Sequence, residues 1–486
     1  MIVRMQRRIY GIENELGVVM RYNNKVWGDV ARGYTRRMHK ANDTSVGPFF
    51  RKVHLWHTNG GCSYIDTNEH PEYASPECCS VGDAALYAKA GEFIMRSIFS
   101  NPVDGARLIL VKNNLGCDAE GKVECSFGCH ENYLMHGFSW TDPVMMQRFV
   151  PFLITRQIMD GSGWWEPDGT YLFSQRSTCI EQELGGTTTN TRPLITTRDS
   201  LNDTGPMRRL HLILGDANIL DVACFLKIGT TSLVLSLIEM GCAPIIEYRS
   251  PIQIMKRIAR NPDITIPQAG FVHEGKELSA FDAQVLYHEA ARHAFVQAVF
   301  DSDEIQAELQ LVLDIWEQTL HALYRHDEQW TVGRLDHETK RYLAERMIKQ
   351  RRLSSASEIK NLRKEIDIMY HNITERTLQD RMNIQWADRR LFTDKQIEYA
   401  CYFPPRHTRA QMRGLFVASV LDLKGHLCGD IDWTCCMDKE LPLYKNMCSM
   451  KDNPFETRTA NFIEFLTDCL NLPHDNAFPY SEPSDC

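Results

Sequence analysis

The sequence predicts an α+β protein, and three observations carry that expectation. Strand-like runs with polar–apolar alternation crowd the first half, at 7–20, 59–77, 106–112, 127–135 and 207–218. Longer helical periodicities dominate from 225 onward, above all over 280–350. The chain has 486 residues, 43% hydrophobic and 24% charged, enough for two to three domains' worth of globular core.

The elements follow in order. In RRIYGIENELGVVM (7–20), read as a strand, Glu13 and Glu15 fall on one face. Burying two such carboxylates without a cation is unfavourable, so a metal on that face is the functional reading and a solvated edge strand the bland one. Residues 22–50 are polar and basic, with partly helical character expected. The stretch NGGCSYIDTNEHPEYASPE (59–77) reads as strand, polar turn, strand. Tyr64 and Asp66 point the same way, Asn68 and Glu69 form the turn, and Pro71 keeps His70 extended. With Glu72 and Glu77 beyond the turn, a phenol and several carboxylates are expected close together. Hard oxygen ligands of this kind suit Mg²⁺ or Mn²⁺, and a spare carboxylate can serve as a base.

Residues 81–98 predict an amphipathic helix with Ala85, Ala88, Phe93 and Ile94 on one side. ARLILVK (106–112) is a strand followed by an Asn113-Asn114 turn, and FGCHENYLM (127–135) is a strand carrying His130. Arginines in the hydroxyl-rich 171–198 stretch suit phosphate or carboxylate recognition. In MRRLHLILGDAN (207–218), Leu210, Leu212 and Leu214 face one way, and Arg209, His211 and Ile213 the other. FLKIGTTSLVLSLIEMG (225–241) is an apolar helix ended by Gly241. Ile305, Leu309, Val312, Trp316, Leu320 and Leu323 form a core stripe at helical spacing, and 353–380 continues as charged helix. Pro404-Pro405 marks a boundary, and the Pro-, Ser- and Asp-rich tail is expected to be mobile.

Composition excludes several classes. A net charge of −9 argues against a general nucleic-acid binder. No signal peptide and no uninterrupted membrane-length apolar run are evident, so no membrane role and a cytoplasmic location are expected. The sixteen cysteines then read as reduced thiols. Cys117, Cys125 and Cys129 with His130, or Cys428, Cys435, Cys436 and Cys448, could be drawn as zinc sites. Neither has the paired tight spacing of one, which leaves them as small buried hydrophobes. There is no Walker A motif and no strand-led GxGxxG, so any nucleotide needs another scaffold.

A resemblance now enters. MQRRIYGIENELG, YIDTNEHPEYASPEC, KNN, GCHENYLM, PFLITRQ, SQR, TRD, RRLHLILGDAN, LKIGTTSLVL and PPRHTRAQMRG recur in this order in the Pup ligase and Pup deamidase/depupylase family. The resemblance runs from about Met5 to the Trp433 region. It implies a glutamine-synthetase-like carboxylate-amine ligase fold, with a curved, mainly antiparallel sheet flanked by helices and a small C-terminal domain. The corresponding division is a catalytic domain over 1–403, a small domain over 404–470 and a tail over 471–486. The resemblance also implies ATP and Mg²⁺ in the cradle of the sheet. The ligase phosphorylates the C-terminal glutamate of a disordered Pup-like modifier, and a lysine of a protein substrate attacks the acyl phosphate, marking the target for the proteasome.

Matched by motif, Glu13, Tyr64 and Glu72 correspond to magnesium-contacting residues and Asp66 to the catalytic base. Ser75 stands where the ligase has an ATP-contacting threonine, and Trp433 matches a tryptophan that contacts ATP. His211, with His130, is a plausible further metal or phosphate neighbour, and Arg198, Arg208 and Arg209 are candidates for phosphate or carboxylate binding. One position departs: the family's ATP-contacting arginine, two residues before the tyrosine, is Cys62 here. A short interval before the aspartate strand and the Asp66-to-Glu72 spacing resemble the ligase. SPECC, HENYLM, SQRS and GDANILDVACFLKIGTTSLVL look closer to the depupylase. The ligase is the favoured expectation. A depupylase or deamidase, a small-molecule glutamate ligase and a non-catalytic modifier-binding protein are the alternatives, and an intact Asp66 argues against the last.

Overall fold

The structure, a computed structural model, describes residues 3–22, 25–27, 54–66, 70–100, 107–118, 121–136, 142–188, 190–197, 207–374, 378, 387–422, 429–431, 435–438 and 448–449. Its centre is an eight-stranded sheet. The strands are β1 (Tyr10–Glu15), β2 (His54–Trp56), β3 (Cys62–Ile65), β4 (Pro71–Ala74), β5 (Cys129–His136), β6 (Gln182–Gly185), β7 (Pro193–Thr196) and β8 (Met207–Leu212). Their spatial order is β6-β7-β8-β5-β1-β4-β3-β2. Every pairing is antiparallel except β6 with β7. The α+β expectation therefore holds, with a mainly antiparallel sheet.

The two faces of this sheet differ because strand residues alternate sides. Tyr10, Ile12, Cys129, Tyr133, Met135, Ile195, Leu210 and Leu212 share one face and enter the main core. Helices α1 (Val81–Ile98) and α3 (Asp221–Glu239) cover that face. Around α3 stand α2 (Pro143–Thr155), α4 (Ala280–Gln297) and α5 (Asp303–Tyr324). Every residue of α3 from Asp221 to Ile238 is buried, which fits a helix that is apolar all round. Among the described residues it is the one helix long and apolar enough to cross a membrane, and it is wholly buried as a core helix. Gly229 lets α5 approach closely, since a Cβ there would meet Val312 Cγ2 at 2.6 Å. Gly91 plays the same part for α1 on β4, where a Cβ would lie 2.3 Å from the Tyr73 ring.

Several buried charges are paired, which offsets the cost of removing them from water. Arg156 spans both oxygens of Glu131, and Tyr133 Oη donates to Glu131 at 2.6 Å. Lys112 donates to Glu92 at 2.8 Å. Helix α1 starts at Ser80, whose Oγ accepts from Asp83 N, while the Glu308 carboxylate accepts from Val81 N and Gly82 N at 2.8 and 2.7 Å. These contacts satisfy donors that a helix start otherwise leaves open.

The Glu308 cap places two carboxylates together. Burial, then the Glu308 charge, push Asp83 up to about 6 from 3.8, against an opposing pull from Arg406. The folded state thus prefers neutral Asp83, and ionising it costs stability as pH rises from about 4 to about 6. Asp83→Asn is expected to be neutral near pH 4 and to stabilise by roughly 1–3 kcal/mol above pH 6. Urea midpoints of both proteins from pH 4 to pH 8 check this.

Several expectations change in detail. The single strand read over 7–20 is two: the chain breaks at Leu16, and Gly17–Tyr22 joins a second sheet with Lys25–Trp27 and Arg107–Val111. Asn113-Asn114 is no exposed turn. Both are buried, and Asn114 donates to Phe127 O at 2.9 Å and accepts from Ala217 N at 2.7 Å. Phe93 leaves the apolar side of α1 and lies exposed under the Arg96 guanidinium, 4.9 Å from the ring centroid. Cys129 and His130 are successive strand residues and so point to opposite faces; Cys129 lies 3.3 Å from Lys227 Nζ, and the first zinc set does not assemble. The set Cys428, Cys435, Cys436 and Cys448 falls outside the described side chains. The core stripe from Leu309 to Leu323 is buried as expected.

At the C-terminal side, α6 (Asp336–Arg351) packs on α7 (Ala356–His371), and Pro404-Pro405 separates α8 (Asp394–Tyr402) from α9 (Arg409–Asp422), whose Met412 and Phe416 are buried. Most of 22–50 and of 423–470, with the tail 471–486, lies outside the described residues.

Candidate active site

Opposite the core, the sheet presents polar side chains, and register fixes which ones meet. Glu13 on β1 pairs with His130 on β5 and with Ala74 on β4. Glu15 pairs with Glu72, which pairs in turn with Tyr64 on β3. Asn132 pairs with His211 on β8, and His211 with Thr196. Directly opposed residues share a face, so Glu13, Glu15, Tyr64, Glu72, His130, Asn132 and His211 all point into one space.

The distances describe a crowded carboxylate site. His130 Nδ1 lies 3.3 Å and His211 Nε2 3.9 Å from Glu13 Oε2, and Asn132 Nδ2 donates to Glu13 Oε1 at 3.0 Å. Burial raises Glu13. The hydrogen bond from His130 and the charges of His211, His130 and Arg209 outweigh it and hold the carboxyl below the usual range. Glu72 goes the other way. Burial and the neighbouring charges of Glu13, Glu15 and Asp66 push it well up, although Tyr64 donates a hydrogen bond to it. Burial, with Glu72 and Glu13 beside it, also keeps the Tyr64 phenol protonated.

Asp66 follows β3. Its N–H donates to His70 O at 2.9 Å, and its Oδ1 accepts from His70 N at 2.7 Å, which closes the hairpin. Three trios hold their ligand atoms within 4.8 Å of one another: Glu13–His130–His211, Glu15–Glu72–His130 and Glu15–Asp66–His70. This donor set fits a divalent cation, because the uncompensated charge that raises Glu72 is what a cation neutralises.

The remaining expected residues are placed as follows. Glu77 does not join the carboxylates. It binds α9 instead, accepting from Arg409 Nε at 2.8 Å and from Arg413 Nη2. Ser75 is a backbone tie, its Oγ accepting from Ile12 N at 3.0 Å and donating to Pro76 O at 3.1 Å. Arg209 donates to Asn132 Oδ1 at 3.2 Å, and Arg208 is exposed. Arg198 and Trp433 lie outside the described residues. Cys62, at the position of the family's arginine, is wholly buried and pairs with Trp56 and Ala74. Burial raises its thiol strongly against the pull of Arg413, so a neutral group stands there.

Sequence reasoning left three neighbours without a role. Asn132 was legible, being two residues after His130 in a strand. His54, opposed to Tyr64 with ring centroids 5.1 Å apart, needed the register. His70 needed the hairpin.

A large cavity of about 930 Å³ opens beside this site. Trp164, Trp165 and Phe127 contribute aromatic walls, and Ile359, Lys360, Arg363, Lys364 and Ile368 line it from α7 (Ala356–His371). Ile359 with Arg363, and Lys360 with Lys364 and Ile368, recur at four-residue spacing, which places them on one helix face. His70 belongs to both cavity and site.

Comparison with known proteins identifies the family and the fold. The family model described as Pup-ligase protein matches residues 6–437. The Pup–protein ligase of Acidimicrobium ferrooxidans is 33% identical over 446 residues, covering 88% of this chain and 92% of its own. That of Actinosynnema mirum is 33% identical over 439 residues, covering 85% and 90%. Among solved structures, the complex between the prokaryotic ubiquitin-like protein Pup and its ligase PafA superposes with a TM-score of 0.80 at 26% identity, covering 96% of this chain and 93% of that one. PafA in complex with ADP gives 0.72 at 27% identity, covering 91% and 93%. A polar sheet face with this register, in a chain matched along most of its length, means that the protein belongs to the Pup-ligase family.

Proposed function

We propose that the chain is an ATP-dependent ligase that joins the C-terminal glutamate of Pup to lysines of target proteins. The observation that carries this reading is the convergence of Glu13, Glu72, Tyr64 and Asp66 on one sheet face beside the cavity. ATP is the phosphoryl donor that activates the glutamate carboxyl. Glu13 and Glu72 would hold Mg²⁺, with Tyr64 offering a neutral phenol oxygen and His130 and His211 as further nearby donors. When bound, Mg²⁺ neutralises phosphate charge as phosphoryl transfer proceeds. Asp66 takes the proton that a lysine ammonium must lose before it can attack.

The cavity is the seat proposed for the modifier. Its aromatic and aliphatic walls suit the apolar face of an amphipathic segment that orders on binding, and its polar lining is of mixed charge, with Lys360, Arg363 and Lys364 beside Asp118, Glu124, Glu166, Asp168 and Asp367. The wild-type protein, given Pup ending in glutamate, ATP, Mg²⁺ and a lysine-bearing protein, is expected to form conjugate. Ile359→Glu places a charge on the apolar wall and is expected to raise KM for Pup by about 10-fold or more, with kcat little changed. An unchanged KM removes this wall from the modifier's seat. Cleavage of a preformed conjugate without any ATP-dependent conjugation favours the depupylase instead.

A further inference from the structure

Resting on the ligase reading, we propose that His70 is a positioning residue for Asp66, fixing the plane of its carboxylate at the point where the cavity meets the reacting atoms. Four observations assign this role. The backbone N–H of His70 already holds Asp66 Oδ1 at 2.7 Å. The imidazole Nδ1 stands 3.6 Å from the other oxygen, Oδ2, and 4.0 Å from Glu15 Oε2. That nitrogen is buried and has no hydrogen-bond partner among the described residues. The ring is gripped by Phe127, edge to face, with centroids 4.7 Å apart.

With no cation between them, a buried nitrogen aimed between two carboxylate oxygens favours the N–H tautomer, since a lone pair there would face negative charge. It stops just short of bonding distance. Hydrogen bonds at catalytic sites are often long before substrate binds and tighten in the loaded complex. One donor on each oxygen then holds the carboxylate at two points. Two-point holding keeps an Asp66 lone pair directed at the incoming amine, and small angular errors in such a base are expensive in rate. Because the same ring lines the cavity, a modifier terminus entering there packs against the group that sets the base.

Two side chains that both fold and both hydrogen-bond separate this role from general packing. In His70→Asn the amide nitrogen can take the place of Nδ1. In His70→Gln it falls nearer the place of Nε2. The experiment measures conjugation of Pup to a lysine-bearing protein, with kcat, the KM values for Pup and ATP, and the Mg²⁺ midpoint for each protein. His70→Gln is expected to lose about 10–100-fold in kcat with little change in either KM, and His70→Asn to stay within about five-fold of wild type. Equal kcat in the two variants, or a Gln variant as active as wild type, overturns the proposal. A shifted Mg²⁺ midpoint in both also overturns it, making His70 a metal ligand through the Glu15–Asp66–His70 trio. If the wild-type protein cleaves a conjugate instead of forming one, the ligase reading fails. The same Asn-to-Gln comparison, run on cleavage, still decides His70.

Discussion

Asp66→Asn suppresses conjugation on the order of 10²–10⁴-fold while leaving ATP and Mg²⁺ binding close to wild type. The expectation follows from the amine, whose unperturbed pKa is about 10.4, so that near neutrality almost all of it is protonated and unreactive. The substitution keeps shape and keeps an acceptor for the 2.7 Å bond from His70 N, so the hairpin is retained. What it removes is the negative charge that draws the proton away. The loss belongs in kcat for transfer to lysine. ATP-dependent activation of the Pup glutamate needs no base and should persist, seen as ADP release in a burst without target protein. Loss of that burst with conjugation would reassign Asp66 to nucleotide or metal binding.

Glu13→Ala or Glu72→Ala is expected to stop Mg²⁺-supported ATP turnover with the fold intact. On the proposed reading each removes an anionic ligand from a hard cation, several kcal/mol of charge stabilisation, on the order of 10²–10³-fold in rate. The two differ in one respect. Glu72 is held up by burial and by Glu13, Glu15 and Asp66, so its proton must leave before a cation enters. Mg²⁺ affinity of the wild-type protein should therefore weaken as pH falls, because Mg²⁺ and the proton compete for that carboxylate. Glu72→Gln should flatten the dependence. Calorimetric Mg²⁺ titrations in the presence of a non-hydrolysable ATP analogue measure both, and a wild-type affinity that ignores pH would contradict the assignment of Glu72.

Period-two alternation was enough to put Glu13 with Glu15, and Arg209 with His211 away from the leucines. It worked because those residues lie within continuous strands. It could not place Glu77, because β4 ends at Ala74 and parity carries no information beyond a strand end. The true partner of Glu77 is more than 300 residues away in sequence, on α9, which no local pattern can announce. Phe93 misled for a different reason: an apolar ring at the edge of a helix stripe can be covered by its own neighbour, here Arg96. The cavity was illegible from sequence because its wall comes from segments spread from Gly17 to Ile368. Cys62 could be flagged as a departure, but not that Trp56 would pack across from it beneath the Arg413 guanidinium, 5.1 Å from the ring centroid.

The grip of Arg409 and Arg413 on Glu77 ties the fate of the C-terminal helix to that of the sheet. Glu77 lies three residues beyond β4, the strand that carries Glu72, and Arg413 also donates to Gly60 O, just before β3. Pulling α9 away strands a buried guanidinium and a buried carboxylate together, a penalty of roughly 3–5 kcal/mol. The two elements therefore open as one cooperative unit, and amide protons of β3, β4 and α9 share a single opening free energy in hydrogen exchange. A lesion in the last fifth of the chain, far in sequence from every carboxylate of the site, loosens the strands that aim them.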